Sequence, residues 1–126
     1  GYEKDSANLC NTAIRAKYLG ANQGTATYAV SESCAGGATG TFTMTATAAT
    51  AITEIAMANF GDSGQSVILE VTGSNTVSVK SGQQVAGVNV SGTGTMAGNT
   101  LTVNYRGTDP TTGAELFSCT MTCTKQ

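Results

Sequence analysis

The stretch TATYAVSESCAGGATGTFTMTATA, Thr25 to Ala48, decides the fold. Tyr28, Val30 and Cys34 keep to one side of a period of two, and Phe42, Met44, Ala46 and Ala48 to one side of the next. Thr41, Thr43, Thr45 and Thr47 hold the opposite side. Side chains alternate between the two faces of a strand, so this pattern describes two strands, each with an apolar and a polar face. Downstream the period continues through Ile55 and Met57 in Thr53–Phe60, and through Val67, Leu69 and Val71 in Ser66–Thr72. Gly73-Ser74-Asn75 is a hairpin signal leading into Val77 and Val79. Val88 and Val90 follow, running through the glycines of Ser91–Met96, and Ala97-Gly98-Asn99 turns the chain into Leu101, Val103 and Tyr105. The loop Gly107–Gly113 carries the only proline, Pro110, and feeds a last strand with Phe117, Cys119, Met121 and Cys123 on one face. About eight hairpin-connected strands with one buried face each predict an all-β fold. An antiparallel meander barrel and a sandwich both meet that requirement.

Upstream the period changes. Cys10, Ile14 and Tyr18 recur every four positions between Ala7 and Leu19. Asp5 or Ser6 can cap the start, Arg15 and Lys17 sit near the end, and Gly20 can terminate the segment. These features predict one short N-terminal helix over residues 7–19, after a flexible start over residues 1–6. With residues 25–124 forming the β structure, the 126 residues make a single domain.

Composition narrows the function classes. The net charge of −2 opposes binding to a phosphate backbone, so no nucleic-acid partner is expected. There are 22 threonines and 16 glycines but no histidine and no tryptophan. Without histidine, a Ser–His–Asp or Cys–His arrangement cannot be built. Lys4, Lys17, Lys80 and Lys125 sit in no Ser–Lys signature. Ser91-Gly92-Thr93-Gly94 lacks the lysine and helix of a phosphate loop, and Asp62, Asn99 and Asp109 are scattered over separate turns, unlike a calcium site. No metal and no cofactor are expected. No apolar run approaches the roughly 18 residues that span a bilayer as a helix.

Four cysteines without a CxxC pair or a histidine point to disulfides in an oxidising compartment. In an eight-stranded meander the last strand runs antiparallel to the first and can close beside it. Cys34 ends the first strand, near the start of the last where Cys119 lies, while Cys10 precedes the first strand on the side where Cys123 ends the last. The expected bridges are Cys34–Cys119 and Cys10–Cys123. A Cys119–Cys123 bridge would have to close about 13 Å of extended strand, past the usual limit.

Four phrases carry a family likeness: YAVSESC at Tyr28–Cys34, IAMANFG at Ile55–Gly61, SGTGTMAGNTLTV at Ser91–Val103 and SCTMT at Ser118–Thr122. Together they resemble the small secreted lipoprotein β-domains of Bacteroidetes bacteria, lipocalin-like in general form. The resemblance implies export to the bacterial cell envelope, periplasmic or surface-exposed, and an outer-membrane lipid anchor upstream of this sequence as its membrane attachment. The start Gly1 to Ser6 fits a mature terminus after removal of an export signal. Under the same resemblance, Asp5-Ser6-Ala7 matches a short O-glycosylation acceptor of that bacterial group.

Two functional readings follow. The first is a non-catalytic, monomeric binding module holding a small apolar ligand in or at the mouth of the barrel. Its candidate contacts are Tyr28, Phe42, Met44, Met57, Tyr105, Phe117 and Met121. The second is a structural or interaction module with a solid core, which meets a surface partner protein through the loops Gly61–Gln65 and Gly107–Glu115. Glu32 is the one acid on an apolar strand face. A buried general acid is one reading of it; a rim carboxylate, or a partner for Arg106, is the commoner one. The rows Thr41–Thr47 and Thr120–Thr124 lack the constant repeat of ice-binding solenoids and read as solvent-facing strand positions.

Overall fold

The computed structural model describes residues 2–3 and 12–126. Tyr2–Glu3 (β1) pairs with Thr12–Ala13 (β2) in a small antiparallel ribbon. Nine strands make one sheet: Ala26–Cys34 (β3), Thr39–Ala48 (β4), Glu54–Ala58 (β5), Val67–Val71 (β6), Thr76–Val79 (β7), Gln84–Val85 (β8), Val88–Ala97 (β9), Thr100–Thr108 (β10) and Glu115–Lys125 (β11). Pairing runs β3-β4-β5-β6-β7-β9-β10-β11, and β11 returns to β3 with Cys123 opposite Val30 and Cys119 opposite Cys34. The sheet is therefore a closed antiparallel barrel of eight strands, with β8 a short addition beside β9. Closure satisfies both edges of the sheet and settles the choice between barrel and sandwich.

The alternation read from Thr25–Ala48 is the inside–outside alternation of the barrel wall. Tyr28, Met44, Ile55, Met57, Val67, Leu69, Leu101, Val103 and Met121 point inward and are almost fully buried. Thr27, Thr41, Thr43, Thr47, Thr93, Thr95, Thr122 and Thr124 face water. An apolar interior with a threonine-rich exterior is the reverse of a barrel wall that faces lipid.

Two expectations are corrected. The first concerns the predicted helix over residues 7–19, of which residues 7–11 lie outside the described residues. Its remainder is not an α-helix: Thr12–Ala13 is strand and Ile14–Tyr18 a 3-10 turn. Tyr18 and Leu19 are buried under the end of the barrel where β3 begins and β11 finishes. There the carbonyls find donors in the barrel in place of the amides of a next helical turn. Tyr28 Oη donates to the Tyr18 carbonyl at 2.7 Å, and Lys125 Nζ to those of Lys17 and Leu19 at 2.8 and 3.1 Å. Arg15 Nη1 reaches the carbonyls of Ala49, Ala51 and Glu54 on the rim. Five residues are too few for a self-sustaining helix, so tertiary partners set their shape. The segment is a plug.

The second correction concerns the cysteines. Cys34 and Cys119 form a disulfide across β3 and β11, with 4.0 Å between their Cα atoms, as the meander order predicts. The expected Cys10–Cys123 bridge is not formed: Cys123 is a free, fully buried thiol. It faces inward on β11, in register with Val30 of β3 and Leu101 of β10. Cys10 and the motif Asp5-Ser6-Ala7 lie outside the described residues.

Candidate functional site

The end of the barrel opposite the plug is open. β3 ends there at Cys34, β5 runs into the turn Phe60–Asp62, and β9 and β11 begin. A cavity of about 430 Å³ occupies this mouth, within the range of small-molecule sites. Its walls are chiefly apolar: Phe60, Val85, Val88, Val90, Tyr105 and Phe117. The Cys34–Cys119 bridge forms part of one side, and Glu32 supplies a carboxylate. A recess of about 240 Å³ adjoins it, sharing Glu32, Cys34, Ala38 and Gly61 and adding Phe42 and Asp62.

Strand parity places Glu32. It continues the inward series Ala26, Tyr28, Val30 on β3, opposite Met121 of β11 and Gly40 of β4, and is half-buried where the shaft opens. Tyr105 points inward from β10, on the far side of β11, and its Oη donates a hydrogen bond to Glu32 Oε2. Burial foremost, then the bond to Glu32, pushes the Tyr105 phenol above its ordinary range, so it remains a donor at neutral pH. Gly61 makes the room for this pair. A Cβ there would lie 2.6 Å from Tyr105 Oη, and the backbone is left-handed at φ +61°. Only glycine meets both demands at little cost.

The aromatic rings interlock around this pair. Phe60 and Tyr105 meet edge to face with centroids 4.9 Å apart, and Tyr105 and Phe117 at 6.1 Å. Phe117 lies against Gly107, where a Cβ would collide with its ring at 2.3 Å. It leaves 37 % of its surface exposed at the rim, and its neighbour Leu116 leaves 52 %.

Side chains tie the rim loops to one another. Asn59 donates from Nδ2 to the Thr43 carbonyl at 2.9 Å and accepts the Gly64 amide at 2.8 Å. Gln65 Oε1 accepts the Ala86 amide at 2.8 Å. Gln83 accepts the Ile68 amide and donates to the Ile68 and Lys80 carbonyls, all within 2.8 Å. A rim held in this way loses little conformational freedom when something fills the mouth.

The sequence-derived contacts divide between two places. Tyr105 and Phe117 line the mouth, and Phe42 lines the adjoining recess. Tyr28, Met44, Met57 and Met121 lie deeper, at 1 % exposure or less, where they fill the shaft. Gly61 and Ser63, from the loop Gly61–Gln65 expected to meet a surface partner, line the mouth, and so do Phe60, Val85 and Ala86, which the strand pattern does not mark as contacts. The one signal for them is an aromatic residue directly before the turn Gly61-Asp62-Ser63-Gly64.

The Glu32 carboxylate and the sulfurs of Cys34 and Cys119 lie within 4.8 Å of one another, which resembles a metal-ligand set. The sulfurs are joined in a disulfide, however, and offer no thiolate. Elsewhere, a broader and more open depression of about 550 Å³ lies over β9–β11, with Ser91, Thr93, Asn104, Arg106 and Ser118 in its lining. Arg106 donates there to Ser91 Oγ at 3.3 Å. It does not pair with Glu32, because the residue after an inward Tyr105 points out of the barrel. No family model and no curated protein sequence matches the chain.

Proposed function

We propose that this domain is a non-catalytic binding module of an exported bacterial envelope lipoprotein, taking one small apolar molecule at the mouth of its barrel. One observation carries the reading. In a barrel whose shaft is filled by side chains and whose other end is plugged, a cavity of about 430 Å³ with aromatic and valine walls stays open at the mouth. Burying an apolar surface there is favourable at about 25 cal/mol per Å² before the costs of association. The cross-strand disulfide supports export, since such bridges persist in oxidising compartments. The lipid anchor and the envelope location rest on the family resemblance alone.

The test is binding of an apolar fluorescent dye, N-phenyl-1-naphthylamine, to the wild type and to Val88→Trp. Val88 is half-buried in the mouth wall, and an indole there occupies the cavity. The wild type binds the dye at one site, and the variant, with unchanged circular dichroism, loses at least tenfold in affinity. Equal binding by the two proteins would remove the mouth as the site.

A second reading, a surface interaction module, is favoured by the exposed Leu116 and Phe117 at the start of β11. Leu116 is the unpaired residue of a bulge at the start of β11, next to Phe117, and two side chains are a smaller apolar surface than the mouth offers.

A further inference from the structure

We infer that the ligand of this mouth is an apolar amine, bound as its ammonium ion with Glu32 as counter-ion; this rests on the binding-module reading above. Glu32 is a half-buried carboxylate in a chiefly apolar chamber, and among the described residues its hydrogen-bond partner is the neutral phenol of Tyr105. Removing a charge from water without an opposite charge is costly, and a site with that arrangement is completed by a ligand that carries the missing cation.

The described cations are all engaged elsewhere. Lys80 pairs with Glu54 at 2.5 Å, and Arg106 lies on the outer wall with Ser91. Arg15 and Lys125 hold the plug, and Lys17 donates to the Ser74 carbonyl beside it. No basic side chain among the described residues lines the mouth or its recess, whereas Asp62 adds a second carboxylate to the recess. The local field therefore favours a cation and opposes a fatty acid or any other anion.

The rings suit the same ligand. Phe60, Tyr105 and Phe117 surround the approach to Glu32, so an alkyl or aryl chain has apolar walls while its ammonium group meets a carboxylate flanked by aromatic faces. Tyr105 holds one carboxylate oxygen from the β10 side, which leaves the other for an N–H of the ligand.

The experiment compares n-octylamine, 1-octanol and octanoate at pH 7, by calorimetry and by amide chemical shifts of the ¹⁵N-labelled protein. The three probes share a chain and differ in the head group. Octylammonium binds at least tenfold more tightly than octanol, and octanoate more weakly than either, with shifts at Phe60, Val88 and Phe117. In Glu32→Gln the amine loses its advantage over octanol. Equal affinity of amine and alcohol for the wild type, or an amine preference that survives Glu32→Gln, overturns the inference and leaves the apolar binding site standing. If none of the probes moves the mouth resonances, the binding-module reading fails with it. The wild-type comparison of amine with alcohol decides the matter even where the variant does not fold.

Discussion

Removing the Cys34–Cys119 bridge tests whether the barrel depends on a covalent closure between its first and last strands. The cysteines are separated by 85 residues, so the bridge constrains nearly the whole β structure in the unfolded chain. The chain-entropy relation for a loop of this size gives about 4.5 kcal/mol at 25 °C. They already face each other as register partners, so the bridge requires no rearrangement of the strands. In urea unfolding, Cys34→Ala/Cys119→Ala is expected to lose about 3–5 kcal/mol, with a larger m-value because its unfolded chain is free to expand. The corresponding fall in Tm for a domain of this size is roughly 15 °C. Wild type treated with reductant should move to the same midpoint. A loss below about 1 kcal/mol with an unchanged m-value would refute the reasoning, because it would mean the unfolded chain gains no freedom when the bridge is absent.

Three further predictions concern single side chains. Burial, then the charge of Glu32, pushes the Cys123 thiol from 9.0 up to about 12, a difference of roughly 4 kcal/mol between its protonation states. Its contribution is therefore fully present below about pH 9 and is lost as pH rises toward the folded value. Alkylation followed by peptide mass spectrometry should leave Cys123 unmodified in the native protein at pH 8 and modify it in guanidinium; rapid native labelling would place the thiol outside the core. The Lys80 ammonium holds the Glu54 carboxyl below its ordinary 4.5, so this pair stabilises the fold above that pH and is lost as pH falls through the lower folded value. Glu54→Gln should flatten the acid limb of the urea midpoint against pH, and an unchanged limb would count against the pair. Gly61→Ala places a methyl 2.6 Å from Tyr105 Oη in a left-handed backbone and should cost about 2 kcal/mol in urea unfolding, a loss under about 0.5 kcal/mol meaning that the turn adapts freely.

The strands were legible because the barrel has one buried face throughout, so parity alone separates Tyr28, Met44 and Leu101 from their threonine neighbours. Direction alternates strictly in a meander, and that made Cys34–Cys119 readable as well. The part of the expected helix that is described, residues 12–19, departs from it for the converse reason. Spacing by fours at Ile14 and Tyr18 is a local signal, whereas the carbonyls of Lys17, Tyr18 and Leu19 are satisfied by Tyr28 and Lys125, one of them more than 100 residues away. Glu32 stands out in the sequence as an acid on an apolar face, and strand parity across β10 decides its partner. If Tyr105 points in, Arg106 points out, which leaves Tyr105 and not Arg106 to meet the carboxylate. Phe60 ends the segment Thr53–Phe60 off the parity of Ile55 and Met57, and Ala86 lies in a turn, so their presence in the mouth emerges only when β5, β8 and β9 are brought to one end of the barrel.

The central claim is that a small apolar molecule enters at the mouth while the shaft remains closed. It is tested most directly by titrating the ¹³C-methyl- and ¹⁵N-labelled protein with N-phenyl-1-naphthylamine and mapping the shifts by NMR. The account predicts saturable shifts at Phe60, Val85, Val88, Val90 and Phe117, with the methyls of Met44, Met57 and Met121 unmoved in the filled shaft. Saturable shifts centred on those methionines, or none at the mouth, would contradict it.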